Sequence, residues 1–125
     1  MLKTGLLNPA VLSLLARVRH TNTLVIADRG FPFWPQIETV DLSLVDDIPT
    51  VLQVLTAIQP NFVCGSAFMA REAAPAQVER VRRVLGGVPV HLEEHAAFKG
   101  RVPKAIGLIR TADTVPYSNI ILESA

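Results

Sequence analysis

Cysteine is almost missing from this chain. Cys64 stands alone, so no disulfide closes within one molecule, which fits a reducing compartment. An excess of either charge is missing too: 12 basic residues face 11 acidic ones, a formal net charge of +1. That balance gives no footing for nucleic acid or an anionic membrane surface, both of which want a basic face. The arginines at 80, 82 and 83, beside Glu79, read as a solvated helix face. Long hydrophobic runs are lacking as well. The segment Val11 to Val18 is too short to cross a bilayer, and Arg17 and Arg19 close it. No charged segment followed by a long apolar stretch opens the chain, so no secretion signal is read and the expected address is the cytoplasm. There is no glycine-rich phosphate loop, no G-x-G-x-x-G after the first apolar run and no G-x-S-x-G elbow. Three histidines and one cysteine occupy no metal-binding spacing, so no metal is expected. Repeats, low-complexity tracts and linkers are also absent.

What is present suits one domain over residues 1–125, with half of the chain hydrophobic and therefore enough for a single core. Asn8-Pro9 begins a helix, because Asn accepts orphan backbone N–H groups and Pro fits the first helical position. Leu12, Leu15 and Val18 follow at helical spacing to about Arg19. Thr23 to Ala27 is a continuous apolar run, as in a strand covered on both faces. Asp28-Arg29-Gly30 breaks it, and Pro32 and Pro35 disfavour regular structure until an alternating strand at Ile37 to Leu42. Asp47 and Pro49 precede a helix over Thr50 to Ile58; Asn61 to Phe68 reads as a strand; Pro75 opens a helix that Gly86-Gly87 ends. Short strands follow at Val88 to Leu92, Ala105 to Ile109 and Ile120 to Leu122, with a helical turn at Glu93 to Phe98. The alternation predicts an α/β fold: a mainly parallel sheet in a Rossmann-like three-layer arrangement, helices on both faces.

Such sheets bind ligands beyond the carboxyl ends of their strands. Asp28 directly follows the first strand, and His95 lies just past the strand ending near Leu92. His20 precedes the first strand, so periodicity does not bring it to Asp28. Each candidate has two readings. His20 is a cation at a helix C-terminus, or a general acid/base whose imidazole exchanges protons near neutral pH. Asp28 is a turn former or a site carboxylate. His95 is a surface helix residue or a ligand contact, and Tyr117 and Asn119 are loop residues or hydrogen-bonding groups. Phe31, Phe33 and Trp34 are packing groups or a wall for the apolar face of a sugar. Cys64 reads as a packing residue.

In combination these residues resemble a known family. Leu7-Asn8, His20-Thr21-Asn22-Thr23 and Asp28-Arg29-Gly30-Phe31-Pro32 are similar to the amino-terminal block of the D-ribose pyranase and L-fucose mutarotase family. Thr39-Val40-Asp41-Leu42-Ser43-Leu44 with Ile48-Pro49 resembles its next segment. Glu94-His95-Ala96-Ala97-Phe98-Lys99 resembles its histidine block. Ile109-Arg110-Thr111 and Pro116-Tyr117-Ser118-Asn119-Ile120-Ile121-Leu122 resemble its carboxy-terminal block. The resemblance implies a cofactor-free sugar-ring isomerase with His20 as the catalytic proton donor. It implies that Asp28, His95, Tyr117, Ser118 and Asn119 bind the monosaccharide, with Lys99 a further contact. It also implies homo-oligomeric rings, pentamers or decamers, with sites at subunit interfaces. Asn22, Arg29 and the bulky Phe31 to Trp34 loop depart from the family pattern, so a reshaped pocket is expected. The rival expectation is a non-catalytic sugar-binding accessory of an uptake or catabolic system, which would bind sugar without speeding ring exchange.

Overall fold

Two of the four helices begin by the same physical device, a polar side chain that takes up backbone donors the helix leaves free. In the computed structural model, which describes residues 1–125, the Asn8 Oδ1 accepts the Val11 N–H at 3.0 Å and starts α1 (Pro9–Arg17). Thr50 starts α2 (Val51–Ile58) through a reciprocal pair: its Oγ1 accepts the Gln53 N–H at 3.1 Å, and the Gln53 Oε1 accepts the Thr50 N–H at 2.9 Å. Asp47, expected to open this helix, instead sits in a turn at φ 63° with its carboxylate on Thr114. Pro75 leads α3 (Pro75–Leu85), which ends where Gly86 takes φ 66°. The expected helical turn after Glu93 is a full short helix, α4 (His95–Arg101), continued by a 3₁₀ turn at Val102–Lys104.

The strands are β1 (Thr23–Ala27), β2 (Glu38–Asp41), β3 (Cys64–Ala70), β4 (Val90–Glu93), β5 (Gly107–Arg110) and β6 (Ile120–Ser124). Three begin later than the sequence pattern suggests. Gln59–Asn61 forms a 3₁₀ turn around Pro60, which delays β3 to Cys64. Pro89 lacks the N–H a ladder needs, so β4 starts at Val90. β5 starts at Gly107, two residues past Ala105. The sheet order is β2-β5-β1-β6-β3-β4. β2, β5 and β1 are mutually parallel, as are β3 and β4, whereas β6 pairs antiparallel with both β1 and β3. Five strands therefore share one direction and β6 alone opposes them.

Alternation along β1 divides the core between two faces. Leu24 and Ile26 point to the face covered by Val11 and Leu14 of α1, Val54 and Leu55 of α2, and Val78 and Val81 of α3. Val25 and Ala27 point to the other face, where Phe98 of α4, Val102 and Phe31 close over them. That two-sided burial explains why the run from Thr23 to Ala27 is apolar without interruption. Helices on both faces of a mainly parallel sheet are thus what the structure contains. No helix is long and apolar enough to cross a membrane.

Close packing of α1 depends on Gly107. A Cβ there would lie 2.6 Å from Leu14 Cδ1 and 3.0 Å from its Cδ2, and Leu14 is wholly buried. Gly107→Ala is expected to lower unfolding stability by about 1–3 kcal/mol through overpacking. In a urea titration this reads as a lower midpoint at unchanged slope, and an unchanged midpoint would mean that Leu14 yields freely.

Candidate functional site

The shared direction of five strands sends the segments that follow them to one end of the sheet, and the reversal of β6 makes its first residues start there too. Asp28 comes from the end of β1, His95 from beyond β4, Asp113 from beyond β5, and Tyr117 and Asn119 from just ahead of β6. These side chains, with Phe31, line one open hollow of about 340 Å³. Four of the expected site residues, Asp28, His95, Tyr117 and Asn119, therefore meet in one place.

Asn119 fastens two of the segments. Its buried Oδ1 accepts the Asp28 N–H at 2.7 Å, across the antiparallel pair that sets Ile26 opposite Ile120. The Asp28 carboxylate also forms the local turn expected of an aspartate after a strand, its Oδ1 accepting the Gly30 N–H at 3.0 Å. Burial pushes the Asp28 carboxyl above its ordinary value. Hydrogen bonds from Gly30, Phe31 and Asn119 pull the other way without cancelling it, and the negative charge of Asp113 adds to the rise.

Asp113 was not singled out by the sequence pattern, although it follows an apolar strand as Asp28 does. It is buried, and both its oxygens are engaged: Oδ2 accepts the Val51 N–H at 2.9 Å and Oδ1 the Val115 N–H at 2.8 Å. It thus caps the first turn of α2 while forming part of the hollow. Thr111 ties the same segment to β1, its Oγ1 donating to the Ala27 carbonyl at 2.8 Å.

His95 is held by aromatic rings. Its ring stacks on Phe98 with centroids 6.1 Å apart, and meets the rings of Phe31 at 6.2 Å and Tyr117 at 5.0 Å edge to face. Its backbone N–H donates to the Glu72 carboxylate, 3.1 Å from either oxygen. The ring Nδ1 is shielded from solvent and has no protein partner. Tyr117 adopts φ 59°, a left-handed conformation costing a non-glycine residue of order 1–3 kcal/mol, and in it the ring is partly exposed beside His95.

Three expected site residues fall elsewhere within the chain. Ser118 is fully buried behind the hollow, and its Oγ has no hydrogen-bond partner. Lys99 lines a neighbouring hollow with Pro32, Phe33 and Trp34, which touches the first through Pro32. His20 lies at the opposite end of β1, exposed, in the turn where the Thr21 N–H donates to the Ser124 carbonyl. Extended chain at about 3.3 Å per residue puts roughly 16 Å between Thr23 and Asp28. Inside one molecule His20 and Asp28 do not meet. Arg29 borders the hollow, as its place in the sequence suggests, and pairs with Asp46 at 2.6 Å, an exposed contact of little energetic weight.

Against known proteins, all of residues 1–125 match the RbsD / FucU transport protein family. The chain belongs to that family. Among its relatives are proteins named D-ribose pyranase from Geobacillus kaustophilus and Corynebacterium glutamicum. Each is 40% identical to it, covering 99% of this chain and 93% and 97% of the relative. In structure it is similar to Bacillus subtilis RbsD complexed with D-ribose, at TM-score 0.94 and 26% identity, with 100% of this chain and 98% of the other covered. The Streptococcus pneumoniae fucose mutarotase in complex with L-fucose shares the fold at TM-score 0.81 and 20% identity, over 94% and 92% of the two chains.

The raised carboxyl of Asp28 has a consequence for stability. A folded-state value above the ordinary 3.8 means that folding favours the protonated form, so the contribution is fully present below that value and is lost as pH rises through the folded value. Asp28→Asn is therefore expected to be more stable than the parent at pH 7, with the gap closing as the pH approaches 4. Urea midpoints at the two pH values test this, and a variant weaker than the parent at pH 7 would reverse the sign.

Proposed function

We propose that this chain is a cofactor-independent monosaccharide ring isomerase, interconverting pyranose and furanose forms or anomers of ribose, fucose or a related sugar. One observation carries the reading: Asp28, His95, Tyr117 and Asn119 converge on a hollow of about 340 Å³ in a chain that is 40% identical to D-ribose pyranases. Carboxyl, amide and phenol groups suit the hydroxyls of a sugar, and the rings of Phe31 and Tyr117 suit its C–H faces. Opening the ring requires a base to take the anomeric hydroxyl proton and an acid to protonate the ring oxygen. Reclosure through another hydroxyl changes ring size, and reclosure on the other carbonyl face exchanges anomers. Sugars already do this slowly in water, so the roughly 10²–10⁴-fold gain from a positioned acid/base is of the right scale.

His20 supplies the proton to the ring oxygen in this proposal, and it reaches the hollow of a neighbouring copy rather than its own. The support is its exposure at the far end of β1. Exposed Leu44, Val45, Ile48 and Val115 offer apolar surface for a contact between copies, with Val115 at the hollow itself. Head-to-tail contacts of that kind close into rings, here a pentamer or decamer. Asp28 either orients the imidazole or accepts a sugar hydroxyl. His95, Tyr117 and Asn119 position the sugar, Lys99 contacts it from the adjoining hollow, and Ser118 backs the wall. The setting is the cytoplasm, consistent with a single unbridged cysteine.

Saturation-transfer NMR of ribose and fucose provides the test. His20→Ala and Asn119→Ala should each lose ring exchange. An equimolar mixture, dissociated and reassembled, should recover about a quarter of wild-type activity, because a fraction of sites then pair an intact imidazole with an intact hollow. No recovery on mixing would place His20 outside a shared site. Sugar binding without accelerated exchange in the wild type would replace the isomerase with a sugar-binding accessory.

A further inference from the structure

Arg110 ends β5, where the ladder sets it opposite Ala27 on one side and Asp41 on the other. Its guanidinium reaches over the end of β1 to the loop that forms one wall of the hollow. Nη1 donates to the carbonyls of Asp28 at 3.2 Å and Arg29 at 3.3 Å, and Nη2 donates to the carbonyl of Pro32 at 3.2 Å. The stretch 28–32 carries Asp28 and Phe31 into the hollow but forms neither strand nor helix. Arg110 itself is not among the residues lining that space.

From this geometry we infer that Arg110 is a positioning residue for the sugar site, a fork that holds the Asp28–Pro32 wall in its binding shape. The inference rests on the ring-isomerase reading for its kinetic consequence, and on the hydrogen bonds alone for its structural one. Arginine suits the task because its planar cation presents several donors in a fixed fork, which here engages three carbonyls. An ammonium in its place has one nitrogen and cannot span acceptors at both ends of the loop. Asp41 provides a nearby negative charge; its own carboxyl is held low chiefly by Ser43, with Arg110 contributing. Asn119 and Asp113 hold the loop's amino-terminal end from the other side, through the N–H groups of Asp28 and Arg29. Nothing but Arg110 holds the Pro32 carbonyl by a hydrogen bond, so at the distal end of the wall the backbone depends on this one side chain, with the packed Phe31 ring beside it.

Arg110→Lys and Arg110→Met separate positioning from bulk folding. Lysine keeps the charge beside Asp41 and a single donor nitrogen, which protects the fold if methionine does not. The expected result in either variant is amide hydrogen exchange about tenfold faster over residues 28–31, with the amides of β1 unchanged. For ribose exchange, KM should rise by about tenfold with kcat altered far less, because a loosened wall loses sugar binding in ground and transition state alike. Millimolar methylguanidinium should restore part of the lost affinity in Arg110→Met. Unchanged loop exchange overturns the inference, as does a fall in kcat at constant KM, the mark of a smaller folded fraction. If the wild type exchanges no sugar, the isomerase reading fails, and the amide data still decide the role of Arg110.

Discussion

The arrangement of the site depends on the antiparallel placement of β6 between β1 and β3. Parallel strands alone would deliver Asp28, His95 and Asp113 to one end of the sheet, but would leave Tyr117 and Asn119 at the wrong end or require a long crossover to bring them back. By running backwards, β6 starts where its neighbours finish, and Asn119 lies opposite the end of β1. The bond from the Asp28 N–H to the Asn119 Oδ1 joins those two segments directly. Alternation along β6 keeps the centre of the sheet apolar on both sides, since Ile120 and Leu122 face one cluster and Ile121 the other.

Around that junction the charged groups differ in role because their surroundings differ. Asp113 spends both carboxylate oxygens on backbone donors and acts as a fixed part of the frame. Asp28, a short distance along the wall, is half-buried, and that burial drives its carboxyl toward the protonated form against the hydrogen bonds from Gly30, Phe31 and Asn119. A carboxyl lining a hollow beside an aromatic box is suited to meeting a polyhydroxylated molecule. The cost of holding it there falls on stability, a common trade at binding sites.

Much of this was legible in the residues themselves. The Asn8-Pro9 start, the covered strand Thr23 to Ala27 and the Pro75 to Leu85 helix follow from capping, burial and glycine termination. The pattern sets strand starts at 61, 88 and 105 too early: Pro60 and Pro89 hold back two of the ladders, and β5 begins only at Gly107. The direction of β6 was not read, yet the connection 111–119 is shorter than the dozen or so residues a parallel crossover needs. Asp28 and His95 were legible from the rule that ligands gather at strand ends. Asp113 obeys the same rule, three residues past the end of β5. The position of His20 follows from chain order alone: it precedes the strand that Asp28 follows. Its proposed meeting with a site in another copy is a matter of assembly, on which helical and strand periodicity within one chain is silent.

A single carboxylate belongs both to the architecture and to the wall of the hollow. Because Asp113 secures the first turn of α2 and the amide of Val115 at once, heating that frays that turn also releases the segment leading to Tyr117. The hollow should therefore keep its shape up to the temperature at which the helix lets go, and fail abruptly there. This side of the wall and the start of α2 therefore loosen together rather than one after the other.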